Sequence, residues 1–210
     1  MLNKYNLQIA SVLEKEGNCI SNDFDISQVI KVTKEKTIAT ERHLLIEVTR
    51  PNLPYDEFPE TGHEYKQNRD FYLSKNEVAK IQKLIPKNSP FPIIENIMIS
   101  QKKDKTILVT TDLENVFTMS IKNKDVSYPK TDQAYPKENP VISLTVNAKR
   151  LKEIATQVEK FSDEEEKPIV ISIYQDEYHK FIKFEAVNNT TEQKMKGLLA
   201  CLDEKEVGNV

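Results

Sequence analysis

Catalytic or metal-binding chemistry in this 210-residue chain would have to come from three histidines, two cysteines and the carboxylates near them. His43 follows a polar knot, Ala39-Thr40-Glu41-Arg42, and precedes an apolar run, with no cysteine or serine at a spacing that would make it a catalytic base. His63 lies among Glu60 and Glu64, a spacing that converges three ligands on a metal on no regular element. His179 follows Asp176 and Glu177 in a predicted hairpin turn. Asp112 and Glu114 share another turn, where solvated acids are the simpler reading. Cys19 and Cys201 show neither metal nor redox spacing, and four glycines provide no phosphate-cradling loop. The residues therefore predict no catalytic site, no metal, no cofactor and no enzyme.

Binding chemistry is better represented. A net charge of −3 argues against coating nucleic acid with the whole surface, and leaves room for a local basic face. Lys75, Lys80 and Lys83 point away from the apolar stripe of one predicted helix. Lys149, Arg150, Lys152 and Lys160 do the same on another, interleaved with Glu153 and Glu159. Two readings fit: ordinary solvated faces, or faces that meet phosphates. No run approaches the roughly 18 apolar residues of a membrane span, and MLNKYNLQIA lacks the order of a signal peptide. With unpaired cysteines, the expectation is a cytoplasmic protein without a membrane partner.

The elements that would carry these faces recur. Spacing predicts a helix over Lys4–Glu14 with Tyr5, Ile9, Val12 and Leu13 on its buried face. Strands are predicted at Ile26–Val32 and as two strands within Thr37–Val48. Asn52–Asp70 reads as a long surface loop. After a strand at Phe71–Leu73, Ser74 and Glu77 form a capping box for a helix with Val78, Ile81, Leu84 and Ile85 inside, stopped by Pro86. Strands follow at Ile93–Ser100, Thr106–Thr111 and Asn115–Ile121. A strand at Val141–Val146 leads to an Asn147-capped helix with Leu151, Ile154, Ala155 and Val158 on one stripe. Three strands follow, at Pro168–Tyr174, Lys180–Val187 and Met195–Leu202. Thr37–Pro54 and Ile107–Met119 echo one another, each an apolar strand running into a small polar turn and a second apolar strand, as repeated units do.

Ala39-Thr40-Glu41-Arg42-His43-Leu44-Leu45 resembles the ATDGHRL segment of the bacterial DNA sliding clamp family, the β subunit that tethers the replicative polymerase. Tyr128-Pro129 through Tyr135-Pro136, soon after Phe117–Ile121, looks like the proline-closed segment that ends the same clamp domain. Val146–Lys152 and Gly197–Leu202 are similar to the closing half of the last clamp domain. Glu41 and Arg42 stand where the family has Asp and Gly, Leu44 and Gln133 where it has arginines, and Cys201 where it has proline. Nothing corresponds to the family's first domain.

The resemblance implies an α+β, DNA-clamp-like fold of three repeats, each a helix plus three to four antiparallel strands. Residues 1–137 would form one domain of two half repeats, 1–65 and 66–137. Residues 138–205 would form a half domain, and 206–210 a frayed tail. It implies that Lys75, Lys80, Lys83, Lys149, Arg150 and Lys152 face duplex DNA without reading its sequence. It also implies an apolar pocket for peptides of DNA polymerases or clamp loaders. Ile26, Thr40, His43 and Leu45 would line it from the first unit, Pro129 and Ala134 from the proline-closed segment, and Leu198, Ala200 and Leu202 from the last strand. The function implied is a processivity accessory of DNA replication, working as a homo-oligomer. The alternative is a regulator or decoy that binds clamp ligands without forming a ring.

Overall fold

The computed structural model describes residues 1–14, 26–41, 44–86, 91–135, 143–162, 167–175, 180–190 and 193–201. They fall into two compact units, Met1–Asp132 and Gln133–Val210.

In the larger unit the chain enters its first helix from strand β1 (Leu2–Asn3). The Asn3 side chain accepts the N–H groups of Tyr5 and Asn6, and Asn6 answers by accepting the Asn3 N–H, so helix α1 (Lys4–Gln8) starts at once. A 3-10 turn over Ile9–Val12 continues it. The predicted buried face is corrected here: Tyr5 is 53% exposed, while Asn6 and Leu7 are fully buried. The reason is polar. The Asn6 amide donates to Thr37 Oγ1 (3.2 Å) and to the carbonyls of Val48 (3.3 Å) and Thr49 (2.9 Å), a buried network that turns this side of the helix inward.

Strands β2 (Val29–Val32), β3 (Lys36–Glu41) and β4 (Leu44–Thr49) follow, then β5 (Phe71–Ser74), helix α2 (Lys75–Gln82), and strands β6 (Asn96–Gln101), β7 (Lys105–Thr111) and β8 (Val116–Lys122). The strands predicted from Ile26 and Ile93 begin three residues later, because Ile26–Gln28 and Pro92–Glu95 are 3-10 turns, the second with proline at its start. Two antiparallel sheets result, ordered β4-β3-β2-β5 and β1-β6-β7-β8. Each helix is therefore entered from a strand that belongs to the other helix's sheet. Leu2 and Leu73, the residues before the two caps, lie opposite Ile97 and Ile30. All four are fully buried in one apolar cluster with Leu7, Val78, Ile81 and Leu108. Burying one such side chain contributes about 1.5–3 kcal/mol.

Asn52–Asp70 has almost no regular structure, yet it is fixed. Phe58 is buried, Tyr55 stacks on Tyr65 with ring centroids 3.7 Å apart, and Arg50 donates to Gln67 at 2.6 Å.

In the smaller unit helix α3 (Ala148–Phe161) is followed by β9 (Val170–Gln175), β10 (Lys180–Asn188) and β11 (Gln193–Ala200), in the order β11-β10-β9. Asn147 caps the helix, accepting the N–H groups of Lys149 (3.0 Å) and Arg150 (3.2 Å). Phe184 lies across Gly197 on the neighbouring strand, where a methyl group would overlap its ring. Two expectations are corrected. Residues 143–146 of the predicted strand Val141–Val146 carry no regular structure, and residues 141 and 142 lie outside the described residues. Of the predicted stripe Leu151, Ile154, Ala155 and Val158, only Val158 is buried, and Leu151 is 40% exposed, because three strands do not cover the whole apolar face. The predicted tail, 206–210, lies outside the described residues.

The turn between β7 and β8 holds Leu113 at φ 82°, a left-handed backbone in which a non-glycine residue is strained by about 1–2 kcal/mol. Local bonds keep it there: Thr111 Oγ1 donates to the Asn115 carbonyl (2.8 Å), and the Asp112 carboxylate accepts the N–H groups of Glu114 (3.1 Å) and Asn115 (2.6 Å). Leu113 is 53% exposed, so its side chain contributes little packing. Leu113→Asn is expected to raise stability in urea by about 0.5–1 kcal/mol and Leu113→Val to lower it by a similar amount. No change in either variant would show that the turn is unstrained.

Candidate functional site

Charge on the helices is the first candidate surface. Ser74 and Glu77 form the capping box expected of them, Ser74 N–H donating to the Glu77 carboxylate at 2.8 Å, and Lys124 pairs with the same carboxylate. Lys80 and Lys83 are exposed at the end of α2. Lys75 is held differently. It is half-buried and its ammonium donates to the Leu13 carbonyl at 2.6 Å, tying α2 to the 3-10 turn. On α3, Lys149, Arg150 and Lys152 are all exposed beside Glu153. Among the described residues, Lys80, Lys83, Lys149, Arg150 and Lys152 pair with no carboxylate.

The outer face of the β4-β3-β2-β5 sheet is the second. Thr40 and Leu45 are cross-strand partners, as are Ile38 and Glu47, so alternation places all four on one face. The segment after β8 is bonded to this sheet. Tyr128 donates to the Ile38 carbonyl (3.2 Å), its ring lies 6.0 Å from that of Tyr72, and burial pushes its hydroxyl above the ordinary tyrosine range. Thr131 donates to Glu47 at 2.9 Å. Lys36 bridges Glu47 (2.9 Å) and Asp132 (2.7 Å), and these bonds raise the Lys36 ammonium and lower the Asp132 carboxyl.

Of the nine residues assigned to a partner pocket, Ile26, Thr40, Leu45 and Pro129 lie in the larger unit. Ile26, Thr40 and Leu45 are half-buried and Pro129 is exposed, in the segment bonded to the same sheet as Thr40 and Leu45. Ala134, Leu198 and Ala200 lie in the smaller unit and are exposed, Leu198 to 69%, with Leu198 and Ala200 two apart on β11 and so on one face. His43 and Leu202 lie outside the described residues. The structure brings Leu198 together with Arg150 at a groove of about 540 Å³ that runs between α3 and the sheet, lined also by Ile154, Phe184 and Leu199.

One basic cleft escaped sequence reasoning. Lys66 and Arg69 of the long loop meet Lys102 and Lys103 of the β6–β7 turn around a space of about 510 Å³, with His63 at its wall. Buried Gln101 joins the two halves, accepting the N–H groups of Asn68 (2.8 Å) and Arg69 (3.1 Å) and donating to the Arg69 carbonyl (3.0 Å). The run Lys102-Lys103 was visible in sequence, but nothing local pointed to its partners.

Asp112 belongs to a turn. Hydrogen bonds from Asn115 hold the Asp112 carboxyl below the ordinary range, as a turn demands. Among the described residues no three His, Cys, Asp or Glu side chains are placed to share a metal, and no helix is long and apolar enough to cross a membrane.

The Lys36 bridge has a definite pH window. Asp132 is lowered from its ordinary 3.8, so its contribution is complete above that value and fades as pH falls below it. Lys36 is raised from 10.5, so the bridge persists up to that value and is lost as pH climbs beyond it. At pH 8 trypsin is expected to cut after Lys130 faster in Lys36→Met than in the unchanged chain. Equal rates would show that the bridge does not hold the segment.

No family model matches the sequence. A 55-residue stretch is 29% identical to the beta sliding clamp of Chlamydia trachomatis, covering 24% of this chain and 13% of that protein. Among solved structures, the DNA polymerase sliding clamp of Pseudomonas aeruginosa superposes with a TM-score of 0.63 at 11% identity, over 96% of this chain and 50% of that one. The PCNA of Thermococcus kodakaraensis gives 0.53 at 15% identity, over 95% of this chain and 72% of its own. The fold is that of the sliding clamps, as the sequence resemblance implies, and the chain spans about half the length of the bacterial clamp it matches.

Proposed function

We propose that this chain is a clamp-like accessory of DNA replication, non-enzymatic and cytoplasmic, that associates with duplex DNA and holds partner proteins. In this reading residues 1–65, 66–137 and 138–205 are three copies of one half unit, the first two forming a domain and the third a half domain. The observation that carries the reading is the sliding-clamp fold over nearly the whole chain. The exposed cations of α2 and α3 agree with it, since helix-borne ammonium and guanidinium groups contact phosphates without distinguishing bases. Lys80, Lys83, Lys149, Arg150 and Lys152 would serve, with Lys75 weakened by its bond to Leu13. No cofactor or metal enters this function.

Partner binding would use the apolar residues of each unit: Ile26, Thr40, His43, Leu45 and Pro129 in the larger, Ala134, Leu198, Ala200 and Leu202 in the smaller. Leu or Phe anchors of polymerase or clamp-loader peptides suit such surfaces. The engagement of Lys75, which thins the basic face, favours a second reading. There the chain forms no ring and acts as a regulator that competes for clamp ligands.

Retention of linear duplex DNA is expected to be weak, indifferent to sequence and steeply lost with salt. Lys80→Glu combined with Lys149→Glu should abolish it without altering the melting temperature, and equal retention by both proteins would remove DNA from the reading.

A peptide of the Gln-Leu-x-Leu-Phe type is expected to bind saturably, and Leu198→Asp, at an exposed position, to weaken it at least tenfold. Absence of saturable binding by the unchanged chain would refute the peptide surface in both readings.

A further inference from the structure

We infer that the smaller unit is half of a two-copy domain, in which residues 143–146 of one chain form a strand on the free edge of β9 in a second chain, and the reverse. The inference rests on the half-unit layout proposed above, and on neither DNA nor peptide binding.

The larger unit supplies the rule. Both helix caps there double as the last rung of a ladder. Asn3 pairs with Asn96, the first residue of β6, and Ser74 pairs with Val29, the first residue of β2. One residue earlier, Leu2 and Leu73 face Ile97 and Ile30 in the core, and each entering strand pairs with the sheet of the other half. In the smaller unit the cap is Asn147 and the corresponding strand is β9, starting at Val170. The same offset sets Val146 against Ile171, Thr145 against Ser172 and Leu144 against Ile173. The alternation fits, because Ile171 and Ile173 share a face with their β10 partners Phe184 and Ile182, and Val146 and Leu144 would join them.

The receiving site is open and the donor is idle. Among the described residues β9 pairs only with β10, and its Ile171 and Ile173 are 53% and 42% exposed. Residues 143–147 form no strand. An apolar edge of this kind is a template for another strand, and a reciprocal exchange closes about a two-fold axis, so it stops at two chains.

The test uses the full chain in a Cys19→Ser, Cys201→Ser background. Thr145→Cys and Ser172→Cys would stand opposite one another between chains, at the roughly 4.5–5.5 Å Cα separation of paired strands that a disulfide can span. Oxidising a mixture of the two single variants should give a covalent heterodimer, and neither variant alone should cross-link. Sedimentation should show the unchanged chain as a dimer. Thr145→Pro should give a monomer that keeps its circular dichroism spectrum and whose melting temperature no longer rises with protein concentration, since proline cannot take its place in the exchanged strand. A monomeric unchanged chain, an intrachain disulfide in the double-cysteine variant, or dimers that survive Thr145→Pro would each overturn the inference. DNA and peptide retention measured on the same preparations separates its failure from failure of the proposed function.

Discussion

A strand that follows a helix spends one edge on its own hairpin and leaves the other open, and closing that second edge organises the larger unit. β2 receives β5 and β6 receives β1, so each half lends its entering strand to the other. The exchange makes Asn3 and Ser74 serve two purposes, ending a ladder and starting a helix within one residue. It also draws Leu2 and Leu73 into the shared apolar cluster, so neither half has a complete core alone.

Features that depend on neighbours in the chain were legible from the sequence. Ser74 with Glu77, Asn147 and the strands β3 and β4 all follow from local propensity and capping, whereas α2 ends at Gln82, four residues short of the predicted stop at Pro86. What was misread depends on groups far apart. Tyr5 looked buried because spacing counts apolar residues, whereas the helix is turned inward by the Asn6 amide reaching Thr37, Val48 and Thr49. Lys75 looked free because its acceptor, the Leu13 carbonyl, belongs to another element. The Lys66, Arg69, Lys102 and Lys103 cleft forms where Gln101, Arg69 and the Lys66 backbone join a loop to a strand and turn more than thirty residues away. Residues 143–146 have the alternation of a strand, but a strand also needs an edge, and periodicity carries no information about edges.

The same contrast separates the two units. In the larger one both sheets are filled and the outer face of one is tied down by Tyr128, Thr131 and the Lys36 bridge, so its surface is a fixed platform. In the smaller one Ile171, Ile173, Leu198 and part of α3 remain in water. The larger unit thus presents a surface that is charged where Lys36, Glu47 and Asp132 meet, and the smaller one an apolar strand edge.

The lending of strands also sets an order in time. Ile97, the partner of Leu2 across the ladder, is made almost a hundred positions after it. At about 5–20 residues per second, β1 waits on the order of 5–20 s for its sheet. β2 likewise stays open at one edge until Phe71–Ser74 has emerged. Neither sheet of the larger unit can therefore complete its pairing before β5 and β6 have been made.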